Sequence, residues 1–268
     1  MKKILFINHE IIPYVPETQV ASMGKLVPAA MQEKGMEIRT FMPKWGTINE
    51  RRGQLHEVIR LSGLNIEIDN LDHQTLIKVA SIPQTKIQVY FIDNDDFFMK
   101  RGMTLDEEGK PYEDNAERAI FFCRAVVETL KKLRWTPDII HCQGWMAAFA
   151  PFYLKKAYYD EPVVCNAKIV TSVFDKSDIA PIDCETVKRS MEFRDITVDS
   201  LSDYNDKFTG LDLAKLAIDY SDGIIETSAD TDPEVKKFIE ASSAKKLVCS
   251  SEDFADEYNN FYESLFEE

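Results

Sequence analysis

Asp138-Ile139-Ile140-His141-Cys142-Gln143-Gly144-Trp145-Met146-Ala147-Ala148 reads as a strand running through a turn into a helix. Pro137 and Asp138 open the strand Ile139 to Cys142, and a helix is predicted from about Trp145 to Tyr159. The same alternation recurs in both directions. Upstream, a strand over Lys3 to Asn8 leads to a helix from about Val20 to Lys34, which Gly35 stops before a strand from Glu37 to Met42. Downstream, Lys168 to Val173 and Gly223 to Thr227 read as strands, the second followed by a short helix. Short β-branched runs alternating with helical stretches are the pattern of βαβ units, so the fold class is α/β with a doubly wound, mostly parallel sheet.

Two segments depart from that rhythm. From Leu55 to Asp93 the apolar runs Glu57 to Leu61, Leu76 to Ala80 and Ile87 to Ile92 follow closely with no helix between them, which predicts antiparallel strands or an edge extension. From Phe174 to Thr209 the pattern is least regular, and a mobile insertion is expected. Between them, Asn115 to Leu133 is a strongly amphipathic helix with Ala119, Phe122, Val126 and Leu130 on one face.

The 46 acidic against 32 basic residues give a net charge of -14, which repels nucleic acid and anionic lipid at long range. No apolar run reaches the roughly 20 residues of a membrane span, and the opening Met1 to His9 reads as a first strand and not a leader. The 5 cysteines form no C-x-x-C pair, which suits a reduced, cytoplasmic protein without a metal or other cofactor.

In an open parallel sheet, ligands sit beyond the carboxyl ends of the strands, so Asn8 to Tyr14 and His141 to Trp145 are expected to face one cleft. Trp145 suits a sugar platform as well as a core anchor, and Glu10, Gln143 and Asn115 are candidates for hydroxyl binding. Asp114 is expected to cap its helix, Arg118 to pair with a nearby carboxylate, and His141 to be a satisfied interior histidine.

Several segments resemble the N-terminal domain of bacterial glycogen and plant starch synthases, the family 5 glycosyltransferases. Ile4-Leu5-Phe6 with Glu10 and Pro13-Tyr14 is similar to the family's opening strand and S-E-x-x-P-F turn, and Phe41 to Gly46 to its L-P-x-Y-G stretch. Tyr112 to Arg118 resembles Y-x-D-N-x-x-R-F, and Asp138 to Ala148 resembles D-V-I-H-x-H-D-W-H-T-A. The likeness extends to about Val173 and, more weakly, over Asp222 to Ser228. It implies a single Rossmann-like sheet, the N-terminal half of a GT-B fold. It also implies substrate-binding roles for Glu10, Tyr14, Asn115, Arg118, His141, Gln143 and Trp145. The family reaction is glucosyl transfer from ADP-glucose to an α-1,4-glucan.

The pattern is broken where the donor sugar nucleotide is bound. The family's K-x-G-G-L is matched by Pro16-Glu17-Thr18-Gln19-Val20, which lacks the lysine and both glycines and adds a repelling carboxylate. The aspartate and histidine of D-W-H are matched by Gly144 and Met146, and T-x-H-N by Ser172-Val173-Phe174-Asp175. The segment Glu252 to Leu265 resembles the family's terminal W-x-x-x-A-x-x-Y-x-x-L-Y-x-x-L helix. These matches imply a synthase-like domain over 1–251 and a helix over 252–268 returning to it, with the nucleotide-binding domain absent and lost between roughly Glu240 and Ser251. On this reading no residue is catalytic and the chain alone is inactive. It is expected to bind α-glucan or maltooligosaccharide weakly, or a complete synthase or separate second domain as partner. The alternative is a glucosyltransferase active only when another chain supplies the nucleotide domain.

Overall fold

The computed structural model describes residues 1–173, 180–204, 206–227, 231–249 and 254–267. The first unit is β1 (Lys3–Asn8), α1 (Gln19–Glu33) and β2 (Glu37–Pro43), followed by the single-turn α2 (Glu50–Gly53). Short strands β3 (His56–Glu57), β4 (Asn65–Ile68), β5 (Leu71–Gln74), β6 (Leu76–Ser81) and β7 (Gln88–Asp93) precede the long helix α3 (Asn115–Leu133). Then come β8 (Ile139–Gln143), α4 (Ala150–Lys156), β9 (Lys168–Val173), β10 (Ile182–Asp183), α5 (Cys184–Met191), β11 (Lys207–Phe208) and α6 (Gly210–Asp219). The chain closes with β12 (Gly223–Glu226), α7 (Pro233–Ala241), β13 (Lys245–Val248) and α8 (Phe254–Ser264).

Nine strands form one sheet in the order β13-β12-β9-β8-β1-β2-β7-β6-β3. From β13 to β7 every pairing is parallel, whereas β6 runs antiparallel to β7 and β3 antiparallel to β6. Strand order reverses between β1 and β8, the switch point beyond whose carboxyl ends a doubly wound sheet is expected to bind its ligand. Ile4 to Asn8 and Ile139 to Gln143 are buried on both sheet faces, as parallel strands sandwiched by helices must be.

The extension from Leu55 to Asp93 is antiparallel except for β7, which joins β2 in parallel register, Phe41 opposite Tyr90. β4 and β5 form a separate hairpin whose two turn residues, Asp69 and Asn70, both have positive φ, the geometry that matches the twist of paired strands.

Two expectations are corrected. The helix predicted from Trp145 is a 3-10 turn, Trp145–Ala147, and α4 starts only at Ala150, with Pro151 in its first turn, where no N–H is needed. The segment 174–209 is not an irregular insertion over its described part. Cys184, Val187, Met191, Ile196, Leu201 and Phe208 are all in the core, carried by α5, a bridge between Phe193 and Ile196, a 3-10 turn and the β10–β11 pair, with Asp183 capping α5. One strand, β13, was not foreseen in the sequence. The pattern matches at Phe174, Asp175 and Ser228 lie outside the described residues.

Candidate functional site

The parallel register places Asn8, Gln143, Ser172 and Ile225 in one row at the sheet's carboxyl edge. Two of these side chains strap α1 to the sheet: Asn8 Nδ2 donates to the Gly24 carbonyl at 3.2 Å and Gln143 Nε2 to the Val20 carbonyl at 2.9 Å. α1 sits so close that a Cβ on Gly24 would fall 2.3 Å from the Glu10 carbonyl oxygen, so no larger residue fits there.

The turns after β1 and β8 meet through His9. Its ring lies edge-on to both Trp45 and Trp145, with centroids 5.9 and 5.8 Å away, and its Nε2 is 3.2 Å from Glu10 Oε1. Thr18 Oγ1 donates to the other oxygen of Glu10 at 2.5 Å and accepts from Ala21 N, capping α1. Gly144 has φ +83°, and a Cβ there would stand 2.6 Å from His9 Nδ1. Where the family pattern has aspartate, this turn has an imidazole brought from β1.

Gln143 and Trp145 share this turn but are only 6% and 5% exposed, and Met146 is fully buried. Tyr14 goes elsewhere. Its hydroxyl donates to the Ser81 carbonyl at 3.0 Å and its ring packs edge-on against Phe91. It lines a cleft of about 600 Å³ with Thr47, Asn49, Arg52 and Gln54, where burial pushes its phenol up to about 12.

Asn115 and Arg118 lie beneath the surface. Asn115 Nδ2 donates to the Thr104 carbonyl, and Arg118 donates to Asn115 Oδ1 at 2.8 Å and to the Gly102 carbonyl at 3.1 Å. Arg118 is fully buried and does not pair with a carboxylate as the sequence suggested, because Arg101 takes both oxygens of Asp114, each at 2.6 Å. The same pair draws Asp114 away from capping: its side chain makes no cap bond to α3. The Arg118 guanidinium instead faces the rings of Tyr112, Trp45 and Phe98 at 5.0, 5.3 and 5.4 Å. Burial, with Arg101 nearby, lowers its pKa to about 10.

Tyr112 also borders a second cleft of about 530 Å³, lined by Lys110, Glu113, Asp114, Glu117, Asp183 and Thr186. Burial raises the pKa of Glu117 there. The two open clefts therefore combine aromatic faces with amides, hydroxyls and charged groups, the chemistry that holds polyhydroxylated ligands.

His141 is an interior histidine. Its Nδ1 is 2.7 Å from Tyr262 Oη and its Nε2 2.7 Å from Ser172 Oγ, and burial lowers its pKa to about 3, so it is neutral. His9, Trp45, Asn49 and Arg52 were not singled out as site residues. Trp45 sits in a stretch that resembles the family, whereas the position of His9 depends on the void at Gly144, which no local pattern announces. Among the described residues no group of three or more His, Cys, Asp or Glu side chains is placed to hold a metal, and no helix is long and apolar enough to cross a membrane.

Comparison with known proteins agrees with this architecture. The profile of the starch synthase catalytic domain family matches residues 3–247. A glycogen synthase of Chlorobium limicola is 33% identical over 236 residues, covering 85% of this chain and 48% of that protein. One from Chlorobium luteolum is 38% identical over 172 residues, 64% of this chain and 35% of that protein. The chain thus spans about half the length, or less, of these relatives. Among solved structures, the catalytic domain of starch synthase IV from Arabidopsis thaliana, bound to ADP and acarbose, superposes with a TM-score of 0.75 at 18% identity. That match covers 92% of this chain and 50% of the other. A family profile spanning nearly the whole chain, laid over a doubly wound sheet whose strand order reverses between β1 and β8, leads to one assignment: the chain belongs to the starch synthase catalytic domain family of glycosyltransferases.

Proposed function

We propose that the chain is an α-glucan-binding member of this family that does not itself transfer glucose from ADP-glucose. The observation carrying this reading is the turn after β8. In place of the family's aspartate and histidine stand Gly144, whose side-chain space His9 fills, and Met146, which has no exposed surface. At the start of α1, Pro16 lacks an N–H and Glu17 opposes a diphosphate. Each lost contact to developing charge is worth roughly 2 to 4 kcal/mol, about a hundredfold in rate. In this reading residues 1–251 form a cytoplasmic synthase-like domain to which the helix of 252–268 returns. Its ligand is a maltooligosaccharide held in the millimolar range, as suits open clefts that stack one or two rings.

Titration with maltoheptaose followed by NMR tests the ligand. Resonances of Tyr14, Asn49 and Gln54, or of Tyr112 and Thr186, are expected to shift, and no shift at either cleft at high sugar concentration would overturn the reading. ADP-glucose added in parallel is expected to leave the spectrum unchanged, and radiolabelled glucose is not expected to enter glycogen.

Membership of a glycosyltransferase family supports a second reading. Transfer then occurs when a complete synthase or a separate nucleotide-binding part joins this chain, and its test is glucosyl transfer on mixing that exceeds the partner's own rate.

A further inference from the structure

We infer that Tyr262 of α8 acts as a positioning residue for the carboxyl edge of the central sheet, through a buried relay in which His141 joins it to Ser172. The parallel register sets Phe6, His141, Val170 and Gly223 in one row on the helix-covered face, and His141 is the polar member of that row. Its ring bridges three elements. Nδ1 reaches up to Tyr262 Oη on α8, and Nε2 reaches along the sheet to Ser172 Oγ, both at 2.7 Å.

All three side chains lie in the core, Tyr262 and His141 fully buried and Ser172 4% exposed, so no water replaces a lost partner. A neutral imidazole has one donor and one acceptor nitrogen, whereas both hydroxyls can serve either way. The sense of one bond therefore fixes the sense of the other, so the His141 tautomer is shared between the phenol of Tyr262 and Ser172, whose hydroxyl also meets Tyr258 of the same helix.

The relay ends on the row at the carboxyl edge of the sheet. Ser172 pairs in register with Gln143, whose amide straps α1, and Gly144, the next residue, receives His9. The rim contacts of α8 do not set this alignment. Lys2 with Glu263 and Lys34 with Asp256 are solvent-reachable ion pairs whose acidic partners are half-exposed or more, and such pairs hold geometry weakly.

The test is amide hydrogen exchange with imidazole 15N spectra on the full chain, comparing Tyr262→Phe with Phe261→Leu. Tyr262→Phe removes one oxygen and keeps the ring. It is expected to speed exchange at Gln143–Trp145 and Ser172–Val173 by about tenfold, to leave β7 unchanged and to change the His141 tautomer balance. Phe261→Leu trims the neighbouring apolar contact and is expected to leave the tautomer as it was. Unchanged exchange at both segments in Tyr262→Phe, or the same tautomer change in both variants, would overturn the inference. The readout needs no ligand, so its failure leaves the glucan reading standing, and failure of glucan binding leaves it intact.

Discussion

The imidazole of His9 occupies the space that a side chain on Gly144 would need: a Cβ there falls 2.6 Å from His9 Nδ1 and 2.8 Å from His9 Cβ. The two positions are therefore chosen together, although 135 residues of chain separate them.

Gly144→Ala meets both this clash and a φ of +83°, so it is expected to destabilise by about 2 to 4 kcal/mol in urea unfolding. His9→Gly opens the same space, whereas alanine would keep the Cβ that stands 2.8 Å away. In the double variant the penalty is expected to fall short of the sum by at least about 1 kcal/mol, and strict additivity would show that the two do not share the site.

Arg118 and Arg101 are expected to separate sharply. Arg118→Met strips donors from Asn115 Oδ1 and the Gly102 carbonyl inside the core, for a loss of about 2 to 5 kcal/mol. Asp114→Ala removes a partly exposed pair with Arg101 and is expected to cost about 1 kcal/mol or less. Thermal unfolding of the two variants side by side reads the difference.

Much of the frame was legible from residue pattern. β1, β9 and α3 fall on the residues that apolar runs and their breakers indicated, because each is a local, repetitive signal. The site was less legible. Gln143 and Asn115 look like ligand-binding amides in sequence, yet one fastens α1 and the other seats Arg118. Which carboxylate a cation meets, and whether an amide faces solvent, depends on contacts between residues far apart in the chain. Arg101 reached Asp114 first for that reason, and α4 starts only at Ala150 where the apolar period ran on without interruption.

Truncation after Cys249 removes α8, whose Tyr258, Phe261 and Tyr262 are buried, together with buried Leu265 just beyond it. At roughly 1.5 to 3 kcal/mol per large apolar side chain, the gross loss is about 6 to 12 kcal/mol, an upper figure before chain entropy is subtracted. That rivals the whole stability of a domain. The truncated chain is expected to be insoluble or to melt far below the full chain, and an unchanged Tm would refute the packing role.

His141 makes stability depend on pH with a defined sign. Its pKa is lowered from 6.5 to about 3 by burial, so between those values the unfolded chain binds a proton that the folded chain refuses. Its contribution is fully present above about pH 6.5 and is lost as pH falls towards 3, on the order of 5 kcal/mol across the window. The His141 ring resonance is expected to stay at its neutral position from pH 8 to 5. A midpoint within that range would contradict its buried placement.

The two ends of the nine-stranded sheet differ in construction but share a result. At one, β3 is two exposed residues, His56 and Glu57, too short to template another strand. At the other, β13 begins with the exposed Lys245 and Lys246, and Lys245 donates to the carbonyls of Ser264, the last residue of α8, and of Glu267 beyond it. A broad sheet would otherwise invite copies to add strands end to end. Brevity on one side and charge on the other cap that growth, so concentrated solutions of the folded chain should resist fibre formation.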